Sequence, residues 1–469
     1  MTAATTRMTT APMTPATKIK ERRSAVQRPP LPASSPLRTL DLLYAVSLYL
    51  LVVVGLFARH GGLTRFTTLE GSIAGVGQLS ALIGTAAALA GLFLMSRHPL
   101  IEQGVGSDRL ARLHRWLGFI AVYAILIHAL TSTLAWAGSV GALPATLLSI
   151  ASDDHGGPGA VIGGALFVLI GITSTAAIRR ALGYELWHTI HLLAYPALAL
   201  GFLHQFTYGT DLSNDPAART FWIGSYTLAI APLIYHRFLT PAWRSLFHGF
   251  TVEAVVAESA DVVSIHLTGR ALHRLPHRSG QYFSLRFLTR DGWFRSHPFS
   301  ISQGPNGRTL RFTVKGLGAW TRRLRALRPG TRVIVEGPYG VLHGGRLSRE
   351  KVLLIGGGIG ITPLRALFET LPGQVDLLYR ASTERELIFR DELNAIARMR
   401  GGRVHYLLGR RDDLPVDPLS PAEILRRIPD VRERDIYLCG PEPMMRGVTR
   451  ALRELGVRSS HIHHESFAW

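Results

Sequence analysis

The chain has 469 residues, 47% of them hydrophobic, and its 52 Lys and Arg against 32 Asp and Glu give a formal charge of +20. That length asks for two or three domains, and a single cysteine, Cys439, excludes both an internal disulfide framework and a cysteine-held iron–sulfur cluster. No nucleic-acid motif accompanies the charge, which the cytoplasmic loops and tails of a membrane protein account for, so no nucleic-acid partner is expected.

Residues 1–39 are rich in Thr, Ala and Pro and carry seven basic residues against one acid, Glu21. No short apolar core with a small-residue cleavage site follows directly, so the stretch reads as a disordered basic cytoplasmic tail rather than a signal peptide. Six apolar spans come next, at roughly 40–58, 73–95, 113–135, 159–178, 186–208 and 221–240, each near the ~20 residues a spanning helix needs. Arg97, Arg109, Arg112 and Arg115 follow span two, and Arg179 and Arg180 follow span four. The segment 137–158 has no Lys or Arg, and 209–218 has only the acids Asp211 and Asp215. Positive charge on the inside then puts both termini in the cytoplasm, in a six-helix transmembrane domain over 40–240.

Two spans carry histidines: His114 and His128 in span three, and His188, His191 and His204 around span five. Ionisable groups inside a spanning helix mark a functional site by default. The fourteen-residue step from His114 to His128 rises ~21 Å, the separation of two ligand planes across one bilayer. Two such helices can clamp two haems, one near each face. The plainer alternative is a set of interface histidines bonded to backbone or headgroups. Fourteen residues return within ~40° of one face, whereas the thirteen from His191 to His204 miss by ~140°, and the sixteen from His188 miss by more. Tighter winding around Tyr195-Pro196 would correct this, because proline removes a backbone bond. Spans three and five run the same way, so His114 and His191 share the inner depth, and His128 and His204 the outer. Arg112, Arg115, Arg179 and Arg180 suit haem propionates or, equally, orientation signals at headgroups.

After Phe250 short strands alternate with turns, which suits a small antiparallel barrel over about 248–345. Its HPFS stretch, His297, Pro298, Phe299 and Ser300, sets an imidazole and an aromatic beside a hydroxyl, a combination that stacks and hydrogen-bonds a planar ring. In Lys315-Gly316-Leu-Gly-Ala-Trp320-Thr321 the glycines expose backbone N–H groups to phosphates. From 350 to 469 strands and helices alternate in an α/β parallel-sheet pattern. KVLLIGGGIGITP is a buried strand, a glycine turn (Gly356, Gly357, Gly358, Gly360) and a helix starting at Thr362-Pro363, where a pyrophosphate meets a helix N-terminus. No Lys-Ser/Thr follows the glycines, so this is not a P-loop. Arg380 ends the next strand where a ribose-binding acid would otherwise stand, and an arginine there suits the 2′-phosphate of NADPH. Arg385 and Arg410 are alternatives, and each of the three also reads as a solvated surface charge. A late strand ends in Cys439, Gly440 and Pro441, where open α/β sheets bind ligands, although a lone cysteine is commonly just a small buried residue. Phe467 and Trp469 close the sequence and are available to cover a flavin ring.

HPFSIS, GGGIGITP and CGPEPMM resemble the ferredoxin–NADP reductase superfamily. The histidine spacings, with twelve residues between His191 and His204, resemble the ferric reductase transmembrane domain. Together they cover about residues 40–469 and resemble the NADPH oxidase and ferric reductase superfamily. The resemblance selects His191 over His188 and implies two b-type haems ligated by His114, His128, His191 and His204. It also implies FAD at His297–Ser300 and the NADPH pyrophosphate at Gly356–Thr362. Cys439 then faces the nicotinamide and Phe467 shields the flavin, although two residues follow Phe467 and leave Trp469 as an alternative. No EF-hand loop is present in the sequence.

The expected activity is a relay from cytoplasmic NADPH through FAD and the two haems to a ferric chelate or molecular oxygen outside. Arg237 and Arg244 are expected to help the reductase part dock beneath span six. A relay module serving a periplasmic protein or quinone, and a diaphorase merely anchored by helices, are the other two readings.

Overall fold

The computed structural model describes residues 39–153, 156–209, 214–410 and 413–465. The expected tail up to Arg38, with Asp154, His155, Asp211, Phe467 and Trp469, lies outside them.

The first half is helical: α1 (Thr39–Arg59), α2 (Leu69–Leu94), α3 (Pro99–Val105), α4 (Ser107–Ala137), α5 (Leu143–Ala151) and α6 (Gly157–Thr173). It continues with α7 (Ala176–Leu182), α8 (Tyr184–His191), α9 (Ala194–Tyr208), α10 (Pro216–Ile234) and α11 (Thr240–His248). Against six expected spans, four segments among the described residues are long and apolar enough to cross a membrane: α1, α2, α4 and α8–α9. A fifth is reached only by joining α6 to α7 through an 86° bend. The expected fourth span ran to 178, but α6 stops at Thr173 and the chain turns before Arg179 and Arg180. The helix α10 stands where the sixth was expected, with Arg219, Trp222 and Tyr226 diluting its apolar run.

Close packing of α2 on α4 has a sequence cause. Gly77, Gly84 and Gly91 recur every seven residues of α2, nearly two turns, so they share one face. A Cβ on them would come 2.6 Å from Ser132 Oγ, 3.0 Å from Ile125 and 3.3 Å from His114 Nδ1 respectively. Small residues in such a row let helix backbones approach closely.

Helices α8 and α9 form one membrane-length segment broken at Leu192-Leu193. Pro196 has no N–H to offer Leu192 O, and its ring crowds that carbonyl. The Leu193 amide bonds Ile190 O at 3.0 Å and the Tyr195 amide bonds Leu192 O at 3.1 Å. These i→i−3 bonds wind tighter than an α-helix, in the sense the thirteen-residue spacing needs. The tight turn falls just before Tyr195-Pro196.

The middle of the chain is antiparallel: β1 (Thr251–Ala257), β2 (Val262–Thr268), β3 (Tyr282–Phe287), β4 (His297–Ser300), β5 (Thr309–Lys315), then α12 (Ala319–Arg323) and β6 (Val333–Tyr339). Two three-stranded sheets, β1-β2-β5 and β4-β3-β6, meet through single bridges, Thr251 to Arg332 and Ile301 to Phe312. Strand β6 alternates buried and half-buried residues along its length, the period of two that puts one face on a core. That core holds Ile265, Phe283, Leu285 and Phe312.

The last third is a parallel sheet in the order β11-β10-β7-β8-β9. Its strands are β7 (Lys351–Gly357), β8 (Gln374–Ala381), β9 (Val404–Leu408), β10 (Arg434–Cys439) and β11 (Ile462–His464). Its helices are α13 (Ile361–Thr370), α14 (Arg390–Arg400), α15 (Pro421–Arg427) and α16 (Glu442–Glu454). Leu354, Leu364 and Phe368 fill one face, and Leu353, Ile355 and Leu452 the other. Burial on both faces is why β7 reads as a continuous apolar run.

Candidate functional site

The four histidines meet in two pairs. The rings of His114 and His191 lie 5.9 Å apart, and those of His128 and His204 lie 6.3 Å apart. His188 stacks instead on Tyr184 at 5.6 Å. Two imidazoles bound to one metal from opposite sides at about 2 Å hold their ring centres roughly 6–6.5 Å apart, so each pair fits the two open positions of a haem iron. Among the described residues no group of three or more His, Cys, Asp or Glu gathers for a metal.

The supports of the four rings differ. His114 Nδ1 lies 3.1 Å from Gly91 O, and His128 Nδ1 lies 3.0 Å from Gly77 O. A carbonyl only accepts, so Nδ1 carries the proton and Nε2 keeps its lone pair for a metal. The fourteen-residue step between the histidines is matched by the fourteen-residue step from Gly77 to Gly91. His191 Nδ1 and His204 Nδ1 are buried with no hydrogen-bond partner, and neighbouring rings hold these imidazoles. Trp187 stacks on His191 at 5.2 Å, and Tyr208 leans on His204 at 5.1 Å. Sequence reasoning missed the glycine row, although its period was visible in α2.

Two stretches singled out in the sequence converge on β4. Trp320 at the start of α12 stacks on His297 at 4.1 Å and lies parallel to Phe299 at 6.3 Å. Burial pushes the His297 imidazole below its usual pKa, so it is neutral at neutral pH. Ser300 is buried and pairs with Tyr282, and Pro298 sits on an edge strand, where its missing N–H costs nothing. The glycine amides expected to face phosphates are bonded at home. Gly316 N–H donates to Asp261 O at 2.7 Å, and Gly318 N–H donates to Thr321 Oγ1 at 2.9 Å. Lys315 pairs with Asp261 at 3.4 Å. The loop contributes its indole to the site, because its own turn consumes its donors.

At the carboxyl ends of β7 and β10 two glycine loops touch. Gly356 is in register with Cys439, and Gly357 with Arg380. Gly358 has φ 52 and open space around it, the left-handed conformation that glycine adopts freely. Gly360 abuts the Cys439 carbonyl, and a Cβ on Gly440 would meet Met444 Cε at 2.7 Å and the Gly357 amide nitrogen at 3.2 Å. Thr362 Oγ donates to Ile359 O at 3.0 Å, with Pro363 buried next to it and Pro441 opening α16. These loops stand at the carboxyl ends of parallel strands, the edge at which α/β sheets bind ligands. Cys439 itself is fully buried in the apolar cluster, and burial pushes its thiol well above the usual value, so it is an un-ionised thiol. Arg380 donates to Ala381 O at 2.7 Å and Leu407 O at 3.0 Å, whereas Arg385 and Arg410 are exposed.

The helical half is tied to the strands beside this site by a residue the sequence had marked only as an orientation signal. Arg97, left-handed at φ 63, is half-buried after α2. Its guanidinium donates to Glu102 Oε1 at 2.9 Å and Tyr282 OH at 3.1 Å, and lies 4.4 Å over the Tyr339 ring. Arg346 donates to Gln103 O and Gly104 O, Arg244 to Gly337 O, and Val335 N–H to Ser245 Oγ. Near the same junction Glu465 is buried, and burial together with Asp108 and Glu102 pushes its carboxyl up to about 8.

Residues 80–202 match the ferric reductase like transmembrane component, 247–343 an FAD-binding domain and 354–450 an oxidoreductase NAD-binding domain. The glycine betaine monooxygenase reductase subunit of Chromohalobacter salexigens is 31% identical over 245 residues, 49% of this chain and 66% of its own. The flavohemoprotein of Vibrio cholerae is 31% identical over 237 residues, 46% of this chain and 58% of its own. This chain therefore spans less than two thirds of the length of either relative. A crystal structure of the FAD/NAD-binding domain of nitric oxide dioxygenase from Vibrio cholerae is 25% identical, with a TM-score of 0.39 over 46% of this chain and 97% of that one.

Proposed function

We propose, on the premise that this chain belongs to the NADPH oxidase and ferric reductase superfamily, that it carries electrons across a membrane. The donor is NADPH in the cytoplasm, and the acceptor outside is a ferric chelate or molecular oxygen. The observation that carries this reading is the pairing of His114 with His191 and His128 with His204 at two levels of one helical half. It rests as well on the glycine loops at the ends of β7 and β10, and on Arg97, which joins the helical half to Tyr282 of β3 and Tyr339 of β6.

In this reading the α6–α7 pair and α10 complete six spans, both termini are cytoplasmic, and the strands of 248–345 close as a barrel. His114 with His191 hold the inner haem, and His128 with His204 the outer. His297 and Phe299, backed by Trp320, present the flavin face, with Ser300 at its edge. The turn Gly356–Thr362 takes the pyrophosphate at the start of α13. FAD held there would supply the conversion of a two-electron hydride into single electrons, and haems held by the histidine pairs would supply one-electron acceptors. The chain's own work is positional: α2 glycine carbonyls fix the tautomer of two ligands. Cys439, expected to face the nicotinamide, is fully buried at the end of β10, and the half-buried Gly440 and exposed Pro441 beside it are what that edge offers a ring.

The 2′-phosphate of NADPH falls to Arg380, with Arg385 and Arg410 as the alternatives. Replacing Arg380 by Glu is expected to raise the KM for NADPH more than that for NADH. Equal changes would move the assignment to Arg385 or Arg410, or remove it.

A relay that serves a partner protein is the second reading, favoured by a relative that is itself named a reductase subunit. Purified protein supplied with NADPH separates the two. Turnover of oxygen or ferric chelate by the chain alone supports the self-sufficient enzyme, and turnover that requires an added membrane or periplasmic fraction contradicts it.

A further inference from the structure

The turn joining β3 to β4 leaves Trp293 and Phe294 61% and 53% exposed, edge to face at 5.8 Å. The turn is tight. The Gly292 and Trp293 amides both donate to Thr289 O at 3.2 Å, and the Arg295 amide donates to Gly292 O at 3.0 Å. A Cβ at Gly292 would lie 2.6 Å from Thr289 Oγ1 and 2.9 Å from Phe287 O, so glycine is what permits it. Large aromatics held rigidly in water call for an occupant.

The position of the turn identifies that occupant. Arg295, over the Phe294 ring at 5.2 Å, reaches Glu185 at 3.3 Å. Glu185 is in the first turn of α8, where the membrane-length segment Tyr184–Tyr208 begins. The turn therefore sits at the level where that segment leaves the bilayer. Trp and Phe beside Arg are the side chains of a membrane–water interface, and the exposed Arg290 adds charge suited to anionic headgroups. In the helical half, Trp243 and Leu246 stand exposed on α11, which follows α10 after a single π turn.

We propose that the Trp293–Phe294 turn enters the headgroup region of the inner leaflet. The bilayer surface, with the Arg295–Glu185 pair, then sets the height of the strand His297–Ser300, which starts three residues after Phe294. The proposal rests on the reading of the helical half as membrane-spanning, and the test separates the two.

Full-length protein carrying a fluorescent label at Trp293→Cys or Phe294→Cys is placed in phosphatidylcholine–phosphatidylserine vesicles containing lipids with a shallow or a deep nitroxide. Cys439, fully buried, stays unlabelled. Leu51→Cys on α1 (65% exposed) reports the bilayer core, and Met399→Cys on α14 (78% exposed) reports bulk water. The expected result is at least twofold quenching of the 293 and 294 labels by the shallow nitroxide, weaker quenching by the deep one, and none at 399. Labels at 293 and 294 as indifferent as 399, with 51 quenched, overturn the proposal and leave the span reading standing. Labels shielded from a water-soluble quencher yet indifferent to both lipids mean that protein covers the turn, which also overturns it. An unquenched label at 51 overturns the span reading as well. Either of the two turn variants suffices if the other fails to fold.

Discussion

On α4 the two histidines stand fourteen residues apart in an unbroken helix, and each donates from Nδ1 to a glycine carbonyl of α2. On α8–α9 they stand thirteen apart across a break, with buried Nδ1 atoms that no hydrogen bond reaches. The first pair is located by backbone: two rigid helices fix where the rings lie and which nitrogen faces inward. The second pair is located by side chains, Trp187 and Tyr208, and by a proline that tightens the winding. Backbone positioning tolerates little change in small residues, and side-chain positioning tolerates little change in winding.

The comparison breaks most visibly at a ligand. His128→Ala is expected to remove one of two haems while NADPH still reduces the flavin at its usual rate, as measured by pyridine haemochrome content and flavin bleaching. Undiminished haem would remove His128 from the ligand set.

The α2 support can be attacked from its end. Arg97 lies three residues past the end of α2, and Gly91 is one turn before that end. Arg97→Ala leaves Glu102 buried without its cation, and breaking a buried pair costs ~3–5 kcal/mol. Thermal unfolding should drop by several degrees, with the haem band at His114 perturbed and the one at His128 spared. Equal perturbation of both would deny that α2 carries the support.

Pro196→Ala sharpens the contrast from the other side. It restores one helix hydrogen bond, worth ~1 kcal/mol, while relaxing the turn that brings His204 to His128. Stability should rise slightly and haem content fall, two changes that a purely destabilising mutation would not separate.

The smallest effect is electrostatic. A Glu465 carboxyl at about 8 when folded, against about 4.3 when unfolded, binds more protons in the native state between those values. Its contribution to stability is then greatest below about pH 4 and is lost as pH rises through about 8. Glu465→Gln should flatten the fall in thermal midpoint between pH 6 and 9, and an unchanged profile would place the responsible group elsewhere.

What the sequence made legible was local. The apolar lengths of α1, α2 and α4, the strand rhythm of β6 and the strand–glycine–helix order at β7 each depend on neighbours in the chain. What it hid was tertiary. The stacking of Trp320 on His297 joins stretches more than twenty residues apart, and Arg97 finds Tyr282 across nearly two hundred. The bend that ends α6 was hidden because the apolar run continues past it. The glycines after Lys315 were read as open donors because the Asp261 carbonyl that takes one of them is set by β-sheet pairing. The break before Pro196 was half legible: proline announced a disturbance, and only the folded helix shows it centred on Leu192-Leu193.

The central claim is that two histidine pairs in the helical half receive electrons from a nucleotide bound by the NAD-binding domain. Anaerobic visible spectroscopy of the detergent-purified protein, with haem quantified before and after NADPH, tests it most directly. The account predicts two b-type haems per chain, both reduced once NADPH is added. Haem that stays oxidised while flavin bleaches, or protein that carries flavin and no haem, would contradict it.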